Sequence, residues 1–316
     1  MLILSSSCAS ANFSKEAYQT FASAFEDNIA QLIPTVVPQE GGFNVSSDTV
    51  VQEIGGKQDL FFVLQNCLYA FLPDVYIRIE SYALFSQFWS QLSADGALHC
   101  TFETREVQIE YDDQSPCTMR LVFTYNAAGQ ILKKIADKSD MVFDDSSVND
   151  LYAKSISILN EITKPDMTDL QKETAIHDYL VTHAKYSVSG NQDILATAGS
   201  ILFEGKGQCQ GYTEAMSLLL GLAGIPSRVV SGTAFGSDGE AVAHAWNQVL
   251  ISGTWYHVDV TWDDPIPDTG DYASHTYMNR SDVFMKKDHI WSDLFQACPV
   301  DFPASGADSA VDITSP

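Results

Sequence analysis

Residues 205–226 read GKGQCQGYTEAMSLLLGLAGIP. Glycines at 205, 207 and 211 bracket Cys209. Beyond the cysteine, Tyr212, Ala215, Met216, Leu219, Leu220 and Ala223 recur at i, i+3, i+4 and i+7, the spacing of a helix that buries one face. Gly224 ends the pattern, and Ile225-Pro226 turns the chain into a strand. Cys209 is therefore expected at a helix N-terminus behind a glycine-rich approach. Unpaired amides and the helix dipole lower a thiol's pKa at such a position, and the same amides can hold an oxyanion. The flanking glycines would keep the sulfur open to a substrate. Taken alone, the feature is equally a buried cysteine that begins a core helix. The Gly-Lys-Gly run lacks the spacing of a Walker phosphate loop.

Working outward, residues 241–251 (AVAHAWNQVLI) and 254–262 (TWYHVDVTW) read as two strands joined by Ser252-Gly253, a two-residue hairpin turn. With Ile251 paired to Thr254, His244 faces Thr261. Asp259 then lies two residues along, on the same face and diagonal to His244. A three-residue loop would put the two on opposite faces. Cys, His and Asp suit nucleophilic catalysis: a thiolate attacks a carbonyl, an imidazole moves the proton, and a carboxylate fixes the ring tautomer and steadies the imidazolium. Singly, His244 reads as a satisfied core histidine and Asp259 as a strand-end cap. The combination with Cys209 outweighs both.

The stretches GKGQCQGY, GIPSRVVSG, HAWNQV and WYHVDVTWDDP, in that order and at short spacings, resemble the transglutaminase-like superfamily in its bacterial branch. The resemblance covers about residues 168–295, including an aromatic-rich segment around Tyr277, Met285, His289 and Trp291. It implies a papain-like core, a helix bearing the cysteine packed on an antiparallel sheet bearing His and Asp. It also implies Cys209 as nucleophile, His244 as base and Asp259 as the residue that orients it. Gln208 stands where an aliphatic residue is common in that branch. Phe203 and Glu204 occupy the area where papain-like enzymes often place an oxyanion-hole glutamine. Tyr186 is a candidate to line the site, with core packing as its other reading. Trp246 should share the face of His244, either walling the cleft or filling the core. Asp263 and Asp264, before Pro265, read as a capped turn rather than a calcium site, which needs more oxygens than two adjacent carboxylates. His177, His183, His257, His275 and His289 are assigned structural roles. No cofactor or metal is implied.

The 316 residues suggest roughly two domains. With 45% hydrophobic and 11% aromatic residues, a disordered or fibrous chain is excluded. The formal charge of −24 repels phosphate backbones and anionic lipid, so nucleic acid is a poor partner. Six cysteines stand at 8, 67, 100, 117, 209 and 298 without a CxxC pair, which argues against structural zinc. They read as buried free thiols, with one or two disulfides among Cys67, Cys100, Cys117 and Cys298 as the alternative. No apolar run reaches the length of a membrane helix.

The overall expectation is an α+β protein. Residues 1–14 form a leader or linker, 15–145 a smaller α+β domain with an antiparallel sheet, 146–303 the catalytic domain, and 304–316 a disordered tail. In the first domain, helices are expected over 15–33, 58–72 and 83–93, and strands over 75–79, 105–111 and 118–125. In the second, helices are expected over 147–162 and over 168–184, the latter capped by Thr168. The small residues before Cys8 resemble a lipoprotein cleavage box, so an extracellular or cell-surface location is expected, with a lipid anchor at Cys8 and an ordinary floppy terminus both left open. The functional expectation is a thiol enzyme acting on amide bonds of a protein or peptide substrate through a thioester, hydrolysis being favoured over crosslinking to an amine. The rival from a different class is a surface binding module that kept the fold without turnover.

Overall fold

The computed structural model describes residues 35–39, 43, 45, 49–94, 97, 104–236, 239–264, 270 and 272–302. The expected leader, the helix over 15–33, Cys8, Cys100 and the tail lie outside them. No described helix is long and apolar enough to cross a membrane.

The first layer is a five-stranded sheet of β1 (Thr35–Pro38), β2 (Val51–Glu53), β3 (Asp74–Ile79), β4 (Thr104–Tyr111) and β5 (Cys117–Tyr125), in the order β1-β4-β5-β3-β2. In β3, Val75, Ile77 and Ile79 alternate inward with polar neighbours outward, and Cys117, Met119, Leu121 and Phe123 do the same in β5. The three central strands are antiparallel, as expected, but both edges are parallel: β1 runs with β4, and β2 with β3. The sheet is therefore mixed. β2 reaches β3 through α1 (Lys57–Tyr69), a helical crossover that a parallel pair requires. At three residues, β2 is too short to show a period. α2 (Tyr82–Ala94) packs beside α1.

α3 (Ala127–Ala136) was not expected. Asn126 starts it, its side chain accepting from the Gly129 amide at 2.9 Å. It carries Ile131 and Leu132 inward against the later helices. α4 (Ser146–Ile162) and α5 (Asp169–His183) match their sequence patterns. Thr168 and Gln171 form the full capping box of α5.

A short parallel pair, β6 (Lys185–Tyr186) and β7 (Lys206–Gly207), encloses α6 (Gln192–Leu195) and a π-turn at Ser200–Glu204. α7 (Cys209–Leu222) follows. It is buried on every side from Cys209 to Leu220, not on one face, because α3, α4, α5 and a second sheet all surround it.

That second sheet is wholly antiparallel, in the order β10-β9-β8-β11, from β8 (Ser227–Phe235), β9 (Ala241–Ile251), β10 (Thr254–Val258) and β11 (His289–Trp291). Ile251 pairs with Thr254 as expected. Ser252 and Gly253 both take positive φ, 50° and 82°, which is what a two-residue turn of the twist-matched kind demands. Between the second-sheet strands lie two single-turn helices, α8 (Val260–Asp263) and α9 (Asp282–Met285).

One apolar cluster is built around α7. The other joins the five-stranded sheet to Val229, Val230, Trp246, Met285 and Phe295, so side chains of both sheets meet in one core. Phe61 and Phe295 make an edge-to-face contact at 5.8 Å across it. Cys67, Cys117, Cys209 and Cys298 are buried free thiols.

Candidate active site

Cys209 is the first residue of α7 and 7% exposed. Gln208 before it is extended and offers no side-chain cap, and its carbonyl receives the Tyr212 amide at 3.2 Å. The amides of Cys209, Gln210 and Gly211 thus have no partner within the helix. The glycines serve packing rather than openness. A Cβ on Gly207 would stand 2.7 Å from Ile201 Cδ1, and one on Gly211 would stand 2.6 Å from the Leu195 carbonyl. They allow the 195–201 segment to lie directly on the start of the helix.

β9 is locked to that start. The Thr213 hydroxyl lies 2.8 Å from the Cys209 carbonyl and 3.0 Å from that of Ala245. The Asn247 amide donates to the Thr213 carbonyl at 3.2 Å and to Ser217 Oγ at 3.0 Å. Both contacts fix the distance from helix to strand, and so from Cys209 to His244.

His244 is buried, with Nε2 2.6 Å from Asp259 Oδ2. The route to this pair differs from the expected one. β10 stops at Val258 rather than running to 262, because the Asp259 amide donates to the Tyr277 carbonyl and its Oδ1 caps α8 by accepting from Trp262 N at 3.1 Å. His244 therefore has no strand partner at Thr261. Asp259 is both a cap and the partner of His244, one oxygen for each. Burial opposes charge on both groups, but their mutual attraction wins. Asp259 and the neighbouring Cys209 side chain push the His244 pKa up to about 10, and His244 holds Asp259 well below the usual carboxylate range. With Nε2 committed to Asp259, Nδ1 is the nitrogen left to exchange a proton with a thiol.

The other candidates fall around this pair. Tyr186, 38% exposed, pairs through β6 with Gly207, two residues before the cysteine. Burial and the nearby Cys209 and Asp259 charges push its phenol up to about 12. The Trp246 ring stacks on His244 at 5.9 Å and 21° while fully buried, so it fills the core and backs the imidazole at once. The Gln208 side chain turns away toward the Gln192 carbonyl, 3.3 Å from Nε2.

Sequence reasoning assigned five histidines no partner, and the structure gives each one. His289, on β11, places Nε2 3.1 Å from Asp259 Oδ2, the oxygen that His244 also reaches. Its Nδ1 lies 2.6 Å from Asp288 Oδ1, whose other oxygen accepts from Tyr277 OH at 2.7 Å. His257 accepts the Trp246 indole proton at Nδ1 (2.8 Å), so its own proton sits on Nε2 and is donated to Asp282 at 2.9 Å. Burial lowers the His257 pKa, in keeping with a neutral ring. His177 bridges Asp178 and Asp263, at 3.0 and 3.1 Å. His275 meets Asp178 at 2.7 Å, and His183 stacks on Tyr179. Asp263 also accepts from Ser274 and the Tyr277 amide, and Asp264 accepts from Tyr212. Those two carboxylates tie the end of α8 to His177, Tyr212 and the segment from Ser274 to Tyr277, so they act as long-range anchors rather than as caps of a turn. The segment bearing His289 is a strand of three residues, too short for an alternating pattern to register. Its His-x-Trp spacing was the one available hint.

Among the described residues, three groups bring metal-ligand atoms within 4.8 Å of one another: His177, Asp178 and His275; His244, Asp259 and His289; and His257, Asp282 and Cys298. In the last group, Nε2 cannot bind a metal while Nδ1 accepts the Trp246 proton. In the second, a metal would occupy the nitrogens that hold Asp259.

Residues 156–260 match the family described as the transglutaminase-like superfamily. Kyphoscoliosis peptidase of Homo sapiens is 28% identical over 137 residues, covering 38% of this chain and 21% of the relative. The Mus musculus counterpart is also 28% identical, over 40% of this chain and 21% of its own length. The chain thus spans about a fifth of the curated relatives it matches. Among solved structures, a TGase is similar at 16% identity and a TM-score of 0.31, over 60% of this chain and 50% of that one. The periplasmic domain of TgpA from Pseudomonas aeruginosa is similar at 18% identity and a TM-score of 0.28, over 48% and 55%. The similarity to the transglutaminase-like superfamily falls on residues 156–260, the stretch that holds Cys209, His244 and Asp259.

Proposed function

We propose that the protein is a thiol hydrolase of amide bonds in proteins or peptides. The observation that carries the reading is the 2.6 Å contact of His244 with Asp259 beside a cysteine at the uncapped start of α7. The Cys209 thiol gives its proton to His244 Nδ1 and the sulfur adds to the amide carbonyl. The oxyanion is held by amides at the start of α7. His244 then protonates the leaving amine, the C–N bond breaks and a thioester remains. Water, deprotonated by His244, adds to the thioester and releases the acid and the thiol. Asp259 holds the ring tautomer and balances the imidazolium throughout. His289 is a positioning residue that acts on His244 through Asp259. The peptidase name of the human relative points the same way.

The test is the pH-dependent rate of iodoacetamide labelling at Cys209, wild type against His244→Ala, followed by peptide substrates with and without an added amine. Rapid labelling below pH 7 that His244→Ala abolishes, with peptide cleavage insensitive to the amine, is expected. An ordinary thiol profile in both proteins overturns the enzyme reading. An isopeptide product in place of cleavage moves the activity to crosslinking.

A further inference from the structure

A second concave site lies at the opposite end of α7 from Cys209, about 18 Å along the helix at 1.5 Å per residue. It is a cavity of about 330 Å³ between the end of α1, α3, the last turns of α7 and the start of β8. Its walls are apolar, with Leu68, Phe71, Leu132, Ile135, Ile225 and Val229 facing in. The volume is at the small end of the range of about 300–1,000 Å³ for small-molecule sites.

The lining contains one cation, Arg228. Its guanidinium lies over two rings, 5.0 Å from the centre of Tyr69 and 4.7 Å from that of Trp255. The Tyr69 hydroxyl is tied to the Val229 carbonyl at 3.3 Å, so that ring is fixed. The other arginines with described side chains are committed: Arg78 to Glu53, Arg120 to Asp74, and Arg280 to the carbonyls of Thr276 and His275. Arg228 has no carboxylate or carbonyl within bonding distance among the described residues. In a chain of 41 acidic and 17 basic residues, an arginine lying over two aromatic rings at an apolar cavity, with no carboxylate or carbonyl partner among the described residues, is complementary to an anion.

We propose that this cavity binds a single-chain aliphatic carboxylate, the head group paired in a fork with Arg228 and the tail laid among the apolar walls. The guanidinium presents two parallel N–H groups that match a carboxylate. The walls offer few donors to satisfy a peptide backbone or a sugar, which favours a plain hydrocarbon tail. The site is separate from Cys209 and does not rest on the catalytic reading.

The experiment is calorimetric titration of the whole chain with decanoate and, separately, with decanol, for wild type and Arg228→Gln. One decanoate per chain is expected, with affinity falling at least tenfold in Arg228→Gln and at least tenfold for decanol on wild type. No heat of binding with decanoate overturns the proposal, as does equal decanoate affinity in Arg228→Gln. Equal affinity for decanol on wild type, which depends on no variant folding, overturns the role of the carboxylate.

Discussion

His289 Nε2 stands 3.1 Å from Asp259 Oδ2, the oxygen already 2.6 Å from His244. One carboxylate oxygen therefore serves two buried imidazoles. The second is held from behind by Asp288, 2.6 Å from His289 Nδ1, a distance at which one proton lies between the two groups. A change at His289 should therefore alter how strongly Asp259 supports charge on His244. Losing a charge-assisted bond of about 1.5–3 kcal/mol corresponds to about 10- to 100-fold in rate. His289→Phe is expected to slow turnover by that factor and to shift the pH dependence of Cys209 labelling. His289→Gln keeps a donor toward Asp259 and should recover part of the rate. A purely structural residue would leave the pH profile of the residual activity unmoved.

Asp259 has two duties on two oxygens, which two substitutions separate. Asp259→Asn retains an oxygen to cap α8 but removes the charge that steadies His244. Acylation should fall on the order of 10⁴-fold with little change in the cap. Asp259→Ala loses both, and should also unfold at lower denaturant, by about 0.5–2 kcal/mol for the missing cap. Single-turnover acylation and urea midpoints measure the two effects independently.

His177 gives a pH-dependent contribution to stability away from the site. Burial disfavours its charge, but hydrogen bonds to Asp178 and Asp263 more than offset this, and its pKa is pushed up to about 9. A folded pKa above the unfolded value of about 6.5 means stability fully present below the unfolded pKa and lost as pH rises toward 9. The gap of that size corresponds to about 3 kcal/mol. His177→Gln should therefore cost most at pH 6, and the difference from wild type in urea midpoints should shrink by pH 9. A difference that is flat or grows with pH would show that His177 folds as a neutral ring.

The core of this reading was legible because local rules and tertiary contacts agreed there. The glycine-flanked cysteine, the helix period after it and the Ser252-Gly253 turn each specify backbone geometry without help from distant residues. Asp259 was found by a route that failed, since the strand ended at Val258 and a helix cap supplied the proximity instead. The missed strands β1, β2 and β11 share one cause. They are four residues or fewer, too short for a period to register, and pair with strands far along the chain. α3 follows β5 with only Asn126 between them, so no loop separates the strand's pattern from the helix's. Apart from the adjacent Asp178 and Asp288 and from Tyr179 one helical turn before His183, the histidine partners lie 11 to 97 residues away, and no spacing rule links them.

Gly232 ties the short strand β11 to the site. From β8 it pairs with Trp291 of β11, and a Cβ at this position would overlap the backbone carbonyl of Ile290, the residue after His289. The obstacle is backbone rather than a flexible side-chain tip, so β11 itself would have to move. Gly232→Ala is expected to destabilise the fold by about 1–3 kcal/mol, the usual cost of overpacking. It should also withdraw His289 from Asp259, so that its labelling profile at Cys209 resembles that of His289→Phe. The combined variant should then label no more slowly than the worse single one, since both changes remove the same contact. Additive rate losses would mean that the strand and the histidine act on the site by separate routes.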